Sequence, residues 1–330
     1  MNPRENILRT INFNHPARVP GNIPGVWLAY RGCGHEAFDP NKGFLDDRGH
    51  QVPTGTRWND LWGTGWHKES DGWMGYPEQC PLRDLTAALP SYRWPDPNDE
   101  RLLANLATKA QTCDRSKEFL CCNSGNTLWE RAYMLVGMEN LMCALLTEPQ
   151  AVRDLLHGIM DFQLGMARHY LDLGVELAAL GDDLGSQDRL LFSRDVFLAF
   201  FVPEYRRLFD LYRSRGVRIT FHSCGHIEPI LDVLMDLGVD VLNPIQASAN
   251  DLSRVRAMTQ GRMTLWGGVS SSLIMAGAVE AIRAEVRRCI RLLARDGGYI
   301  CGPDQGLPFP LAHKAAMDAA IEKYGVYPLG

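Results

Sequence analysis

The second half of the chain alternates short apolar segments with longer segments whose apolar residues recur at helical spacing. Five such pairs follow one another between residues 176 and 324. Short β-branched or apolar runs bounded by glycine are typical of buried strands, and spacings of three and four residues are typical of helices packed on one face. Strands are predicted at residues 176–182, 217–221, 239–243, 263–267 and 298–301, and helices at residues 193–215 (with a bend at Pro203), 227–237, 251–258, 278–295 and 311–324.

Repeated strand–helix pairs favour parallel strands joined by right-handed crossovers. The first half adds a predicted helix at 3–13, strands at 19–27 and 119–123, and long helices across 129–173. A doubly wound sheet would give the same alternation, but no G-x-G-x-x-G pattern follows an early strand. We therefore expect an α/β fold of the (β/α)8 TIM-barrel class, with residues 1–330 forming one domain.

Residues 58–94 interrupt this pattern with glycines, prolines and five tryptophans, namely Trp58, Trp62, Trp66, Trp73 and Trp94. A stretch of this kind is typical of an irregular rim or lid rather than a separate domain. The tryptophans could simply fill a small core of their own. Alternatively, some of them could line a wide mouth that receives a flat, apolar ligand.

Composition excludes several classes of protein. The chain has 330 residues, of which 45% are hydrophobic and 22% charged, so it can bury a large core. Its net charge of −5 provides no basic surface for a nucleic acid. No apolar run approaches the roughly 18 residues of a membrane span, and the start of the chain lacks the apolar core of a signal peptide. Nine cysteines without a disulfide-like spacing indicate a reduced, cytoplasmic protein.

The segment from Phe221 to His226 carries the strongest chemical signal. His222 and Cys224 follow a predicted strand and are two residues apart, so on extended backbone their side chains point the same way and could bind one metal ion. A buried histidine beside a small apolar cysteine is the simpler interpretation. Position favours the metal site, because barrel and open-sheet enzymes place their chemistry at the carboxyl ends of strands.

Other polar or flexible residues also follow predicted strands. Asp182 and Asp183 are adjacent, so at most one should face a pocket, where it could transfer a proton or orient His222; the other would brace its loop. Further candidates are residues that could contact a cofactor or merely stabilise their own loops: Gln187 and Gln246 through hydrogen bonds, and Gly267 and Gly268 through close backbone approach.

Several short motifs, and the order in which they follow one another along the chain, resemble the uroporphyrinogen decarboxylase superfamily. The similarity covers nearly the whole chain and is strongest between Gly181 and Pro303. It implies a (β/α)8 barrel, in agreement with the strand–helix pattern. The motifs are Arg4-Glu5-Asn6, Pro16-Ala17-Arg18-Val19-Pro20, Gly181-Asp182-Asp183-Leu184-Gly185-Ser186-Gln187, Phe192-Ser193, His222-Ser223-Cys224-Gly225, Gly238-Val239-Asp240, Asn243-Pro244-Ile245-Gln246, Trp266-Gly267-Gly268, Gly297-Gly298-Tyr299-Ile300 and Pro303-Asp304.

The superfamily contains two chemistries. Uroporphyrinogen decarboxylases need no metal and bind the substrate carboxylates through an arginine-rich N-terminal segment, whereas residues 27–34 of this chain contain Arg31 alone. The corrinoid-dependent methyltransferases resemble this chain in their His-x-Cys motif, and there a late cysteine completes a zinc site. Here the corresponding loop offers Cys301, Asp304 or Gln305 as the third metal ligand.

The resemblance thus implies a corrinoid-dependent methyltransferase that moves a methyl group between a small molecule and a cobalamin cofactor. Zinc on His222 and Cys224, with Cys301 or Asp304, would activate the substrate. A carboxylate ligand would make the metal a harder Lewis acid and favour O-demethylation over a thiol acceptor. A corrinoid protein is the expected partner. A metal-free decarboxylase and a corrinoid-binding barrel without catalysis remain the alternatives.

Overall fold

The computed structural model describes residues 1–45, 52–71 and 75–329 of the chain. Twelve strands lie within these ranges, and seven of them form one parallel sheet. In chain order the strands are β1 (Gly25–Ala29), β2 (Phe38–Asp39), β3 (Gly43–Phe44), β4 (Arg57–Asn59), β5 (Gly65–His67), β6 (Tyr76–Gln79), β7 (Phe119–Gly125), β8 (Leu177–Gly181), β9 (Arg218–His222), β10 (Val241–Ile245), β11 (Thr264–Val269) and β12 (Tyr299–Pro303).

The parallel sheet has the order β1-β7-β8-β9-β10-β11-β12, so each strand is added beside the one before it. A doubly wound sheet would reverse its strand order at a switch point, and this sheet has no such reversal. The predicted α/β class and the five predicted strands of the second half are confirmed. Register places Gly125, Gly181 and His222 at the same level on three neighbouring strands.

An eighth strand, expected for a complete (β/α)8 barrel, is not found among the described residues. The first strand was predicted from residue 19 but begins only at Gly25. Residues 19–24 instead run irregularly beside β12 and β7, where the carbonyls of Pro20 and Pro24 accept hydrogen bonds from the amides of Cys301 and Phe119 at 2.8 and 3.0 Å. Because proline has no amide hydrogen, this segment cannot form a continuous ladder.

Helices follow the strands of the sheet as the apolar spacing predicts. Pro203 does not bend a single helix from 193 to 215; a π-helical turn at Phe197–Phe201 separates two helices there. The helices are α1 (Pro3–Ile11), α2 (Leu85–Ala88), α3 (Glu100–Leu103), α4 (Leu106–Ala110), α5 (Trp129–Val136), α6 (Met138–Thr147), α7 (Pro149–Asp172), α8 (Arg194–Val196), α9 (Val202–Ser214), α10 (Leu231–Leu237), α11 (Leu252–Thr259), α12 (Ser271–Ala276), α13 (Val279–Leu293) and α14 (Leu311–Tyr324), with 3-10 turns at Leu89–Ser91 and Glu228–Ile230.

The tryptophan-rich segment 58–94 is more regular than expected. Strands β4, β5 and β6 form a small antiparallel sheet within it. Trp62 is buried and contacts Phe162 of α7 at 4.7 Å between ring centroids, whereas Trp66 lies beside the mouth of the large sheet. Trp62 thus fits the interpretation of a small core, and the binding of a flat ligand by other tryptophans stays a prediction. Trp73 lies outside the described residues.

Two apolar cores lie on opposite sides of the parallel sheet. The larger core fills the space between the strands and the outer helices. The smaller core lies inside the curve of the sheet, at the amino-terminal ends of the strands, where α1 contributes Ile7 and Ile11. On the inner face of the sheet, the side chains between this core and the carboxyl ends of the strands are small or polar, including Ala29, Asn123 and Thr220. The carboxyl end is therefore the open end.

Among the described residues, no helix has both the length and the apolar character that crossing a membrane requires.

Candidate functional site

His222 and Cys224 meet at the carboxyl end of β9. His222 is the last residue of the strand, and the following turn returns Cys224 to it, so that Sγ of Cys224 lies 3.4 Å from Nε2 of His222. Both side chains are accessible, since His222 is exposed and Cys224 partly so. The proximity predicted from the two-residue spacing is therefore present.

Asp183 joins this pair from the neighbouring strand. It follows the end of β8 by two residues, and its Oδ1 lies 3.4 Å from Nε2 of His222. The same oxygen accepts a hydrogen bond from the backbone amide of Cys224 at 2.9 Å. One nitrogen, one sulfur and one oxygen thus lie within 4.8 Å of one another. We call Asp183, His222 and Cys224 the ligand cluster.

Two glycines allow the loops of the ligand cluster to approach each other. Gly225 has φ of +83°, and a Cβ on it would lie 2.2 Å from the carbonyl oxygen of Gly185. A Cβ on Gly185 would in turn lie 2.6 Å from the backbone nitrogen of His226. A side chain at either position would push apart the two loops that carry Asp183 and Cys224.

Opposite charges face each other inside the ligand cluster. Desolvation by the surrounding protein lowers the pKa of His222, although part of its side chain remains exposed. Hydrogen bonds and charge interactions with Asp183 and Cys224 outweigh this effect and raise the pKa of His222 to about 11. Burial alone would raise the pKa of Asp183. The hydrogen bond with His222 and the charge of His222 outweigh burial, so the pKa of Asp183 is lowered. Without a metal, a proton on His222 thus neutralises the acidic groups around it. A cation bound between the three ligand atoms would replace that proton.

The other ring nitrogen of His222 has a separate partner. Nδ1 lies 3.2 Å from Oδ1 of Asn243, the residue of β10 that is level with His222. An amide oxygen accepts only, so Nδ1 is the donor in this hydrogen bond and Nε2 is directed to Asp183 and Cys224. Metal-binding histidines commonly have such a partner on the nitrogen that does not bind the metal.

Three glutamines form a hydrogen-bonded chain on the far side of Cys224. Gln305 donates to Sγ of Cys224 at 3.0 Å, and Gln246 accepts from the amide of Gly225 at 2.9 Å. The side-chain nitrogen of Gln246 donates to Gln187 at 3.2 Å. Gln187 and Gln246, predicted to contact a cofactor, therefore stabilise the loops around the ligand cluster; contact with a cofactor stays a prediction.

Cys301 and Asp304 do not join the ligand cluster. Cys301 is fully buried in the outer core, where burial raises the pKa of its thiol to about 12. Strand alternation explains this, since the preceding residue, Ile300, already occupies the inner face of β12. Asp304 is buried and accepts hydrogen bonds from the amides of Ser271 at 2.8 Å and Ala247 at 3.3 Å. Neither residue belongs to the ligand cluster, in which Asp183 lies beside His222 and Cys224; the identity of the third metal ligand stays a prediction.

Asp182 faces away from the ligand cluster. Its carboxylate is fully buried and accepts hydrogen bonds from the amides of Leu128 and Glu130, at 2.9 and 2.8 Å, and from the Tyr205 hydroxyl at 2.5 Å. Burial raises the pKa of Asp182 to about 7. Of the two adjacent aspartates, one therefore lies in the site and the other fixes the start of α5.

Gly267 and Gly268 are both buried in β11. A Cβ on Gly267 would lie 3.1 Å from the backbone nitrogen of Ile245, and one on Gly268 would lie 3.3 Å from Leu293 in α13. These contacts explain the glycines as packing positions between strands and a helix. The predicted close approach of a cofactor to them stays a prediction.

A cavity of about 970 Å³ opens beside the ligand cluster. Gly125 in its wall is level with His222 two strands away, which corresponds to about 10 Å at the usual strand spacing. The lining combines aromatic, amide and charged side chains, including Trp66, Tyr76, Tyr133, Asn123, Asn126, Arg31, Lys109 and Glu130.

Glu130 is the residue of this cavity that sequence reasoning missed. It lies in the first turn of α5, where an acidic residue is common because it complements the helix dipole. Burial first, and then the charges of Asp182 and Asp183, raise the pKa of Glu130 to about 8. No sequence signal distinguishes it from an ordinary helix-start glutamate; only the packing of α5 against β8 does.

Residues 123–324 match the protein family described as Uroporphyrinogen decarboxylase (URO-D). This stretch is more than half of the chain and includes the ligand cluster. The chain belongs to the URO-D family. The resemblance found in the sequence motifs is confirmed, and the ligand cluster thus lies at the open end of a URO-D family sheet.

Several solved structures are similar to this chain, to different extents. A methyltransferase from Methanosarcina mazei is 17% identical, with 98% of this chain and 99% of that chain covered and a TM-score of 0.71, which shows a common fold. D-psicose 3-epimerase from Clostridium cellulolyticum H10 is 11% identical over 72% of this chain and 85% of that chain, with a TM-score of 0.41. Dihydropteroate synthase from Burkholderia cenocepacia is 18% identical over 45% and 55%, with a TM-score of 0.30. No curated protein matches the chain.

Proposed function

We propose that this URO-D family chain is a zinc-dependent methyltransferase that passes a methyl group from a small methyl ether to a corrinoid. The observation that carries the proposal is the ligand cluster at the open end of the sheet, beside a cavity. Decarboxylation in the family needs no metal, whereas the corrinoid methyltransferases that the motifs resemble use a zinc site at the same His-x-Cys position.

The ligand cluster fits zinc in its chemistry. Imidazole nitrogen, thiolate sulfur and carboxylate oxygen are all ordinary zinc ligands, and three protein ligands leave one position for substrate. Asn243 holds the imidazole as such a site requires, and Gln305 donates to the sulfur without adding charge. When bound, zinc supplies Lewis acidity to a substrate oxygen. Asp183 in place of a second thiolate makes the site harder, which favours an ether oxygen over a thiol.

The size of the cavity supports a small substrate with an external methyl acceptor. About 970 Å³ is the size of a pocket for one small molecule, so a corrin would have to approach over the open end of the sheet. A corrinoid protein that presents its cobalt to this opening is the partner that we propose. Gln187, Gln246, Gly267 and Gly268 border the same end and are candidates to contact it.

Uroporphyrinogen decarboxylation and corrin binding without catalysis are the competing functions. The described lining of the cavity contains one arginine and one lysine, Arg31 and Lys109, whereas a porphyrinogen with eight carboxylates needs several cations around it. Neither alternative uses a three-ligand cluster. Turnover of uroporphyrinogen by the purified protein would favour the decarboxylase.

Zinc content and methyl transfer test the proposal together. Purified without chelator, the protein should contain about one equivalent of zinc, and it should methylate cob(I)alamin from methyl ethers in a spectroscopic assay. Cys224→Ala should lose both the zinc and the activity, because one of three ligands is removed. Cys143→Ala, at an exposed cysteine of α6, is the matched control and should keep both.

Less than about a tenth of an equivalent of zinc in the wild-type protein would refute the metal site. A folded His222→Ala protein with full methyl transfer would place the chemistry elsewhere in the sheet.

A further inference from the structure

Glu130 lines the cavity, and its carboxyl group interacts electrostatically with Asp183 and His222 of the ligand cluster. Its backbone amide donates to the buried carboxylate of Asp182 at 2.8 Å, and the amide of Leu128 donates to the same carboxylate. Asp182 belongs to the residues directly after β8, immediately before Asp183. A single strand end therefore fixes both a member of the ligand cluster and the helix turn that carries Glu130.

Among the residues that the structure describes, the side chain of Glu130 forms a hydrogen bond with Tyr133 and no ion pair. The neighbouring cation, Arg131, is fully buried on the other side of α5 and pairs with Asp60 at 3.2 Å. The charged groups that act on Glu130 are Asp182, Asp183, His222 and Arg131. Burial, followed by the charges of the two aspartates, raises the pKa of Glu130 to about 8 in the protein without metal.

We infer that Glu130 is the acid–base residue of this site and protonates the oxygen that the methyl group leaves. The inference rests on the proposed function. Asp183 belongs to the ligand cluster, and both carboxylate oxygens of Asp182 are engaged in a fully buried position. Glu130 alone of the three carboxyl groups lines the cavity. Asp182 is then a positioning residue that acts through the first turn of α5.

The proton balances the transfer. In demethylation of a methyl ether, the bond between the methyl carbon and oxygen breaks, and a carbon–cobalt bond forms with two electrons from Co(I), which becomes Co(III). The oxygen keeps the electron pair of the broken bond and takes the proton of Glu130, which yields the alcohol or phenol. The Glu130 carboxylate then regains a proton from water in the cavity.

Glu130→Gln tests this role, because glutamine keeps the size of the side chain but cannot donate an acidic proton. The zinc-loaded variant should keep its zinc and its KM, and kcat should fall by about 10²–10⁴-fold, the usual contribution of a general acid. The decline of wild-type activity above neutral pH should disappear. Across methyl aryl ethers, the defect should shrink as the leaving phenol becomes more acidic, because less proton donation is needed.

A second readout does not depend on activity. The difference infrared spectrum between the zinc-free wild type and zinc-free Glu130→Gln at neutral pH should show the carbonyl stretch of a protonated carboxyl group. Glu139→Gln, at an exposed glutamate in the first turn of α6, is the matched control and should leave kcat unchanged.

The outcomes separate the two proposals. If wild type binds zinc and transfers methyl groups but Glu130→Gln matches its kcat, or if the Glu130 signal is that of an ionised carboxylate, the role of Glu130 is overturned. If wild type neither binds zinc nor transfers methyl groups, the proposed function fails, and the acid–base role fails with it.

Discussion

Cys224 is held by groups from three different parts of the chain. Its amide donates to Asp183, its sulfur lies beside His222, and Gln305 donates to that sulfur from the loop after β12. Each contact fixes the direction of the thiol before a metal binds. Such preorganisation is what a site of three ligands needs to hold one coordination geometry.

Exchanging Asp183 for asparagine tests the identity of the third ligand. A neutral amide is a poor ligand for zinc, so zinc affinity should fall by more than the roughly 10–100-fold that follows loss of a group hydrogen-bonded to a ligand. Cys301→Ala should leave zinc affinity unchanged, because Cys301 lies in the outer core. Competition with a chromophoric chelator measures both affinities. Loss of zinc in Cys301→Ala with retention in Asp183→Asn would restore the original expectation.

The pair His222 and Cys224 could be predicted from the sequence because both lie in one local motif. Asp183 could not be assigned to them, since its contact depends on the register between β8 and β9. That register sets Gly181 opposite His222, so the residues two positions later, Asp183 and Cys224, come level. Apolar patterning locates strands but leaves the register between neighbours open, and a shift of one residue would have brought Asp182 into the site.

At the scale of elements, α5 connects the cavity to the rest of the sheet. The carboxylate of Asp182 accepts a hydrogen bond from the amide of Glu130 in the first turn of α5. The next residue, Arg131, forms an ion pair with Asp60 in the turn between β4 and β5. Asp60 also accepts from Trp66, the tryptophan at the cavity wall. The rim segment 58–94 is therefore attached to the same helix that carries Glu130.

Asp182 should make the stability of the protein depend on pH. Its pKa is raised by folding to about 7, so between about pH 4 and 7 the folded state binds more protons than the unfolded state. The free energy of unfolding should then fall as pH rises through this window, by at most about 1.4 kcal/mol per pH unit for one proton. In Asp182→Asn this slope should be smaller. Urea titrations of the zinc-free proteins at several pH values measure it.

Asp195→Asn, in the short helix α8, is the control for Asp182→Asn and should retain the wild-type slope. An equal slope in Asp182→Asn would show that Asp182 is ionised throughout.

Repeated strand–helix units made most of the central elements predictable. The start of β1 was not, because 19–24 leads directly into the apolar residues of β1 and contains Val19 and Ile23. Pro20 and Pro24 have no amide hydrogen to donate, and this segment does not pair as a strand. The small sheet β4–β6 was also missed. Its strands have three or four residues each, too few for a periodic pattern to emerge among glycines and prolines.

At the scale of the whole molecule, the two ends of the sheet differ. Helix α1 covers the amino-terminal end: Arg4 pairs with Glu176 at 2.5 Å before β8, and the carbonyl of Thr10 accepts from Gly298 before β12. Ile7 and Ile11 of α1 pack into the inner core. The ligand cluster and the cavity lie at the opposite end.

Ile7→Ala should separate the stability of this covered end from the chemistry of the open one. Ile7 is 1% exposed, and removing its buried methyl groups should cost about 2–5 kcal/mol of unfolding free energy. Zinc content should not change. Chemical denaturation measures the loss, with Leu311→Ala, at an 87% exposed leucine, as a control that should stay near wild type. If Ile7→Ala lowered the free energy of unfolding by less than Leu311→Ala does, α1 would not seal the sheet.

In the part of the chain that the structure describes, α1 covers one end of the sheet and the ligand cluster lies at the other, and this would constrain the kinetics of the proposed reaction. The small ether must pass through the same opening over which the corrinoid protein would dock. Once the carrier is seated, the ether can no longer enter and the demethylated alcohol can no longer leave. In the proposed reaction binding would thus be ordered, with ether before carrier and carrier release before alcohol release, and an excess of reduced corrinoid protein should inhibit turnover by occupying the empty enzyme.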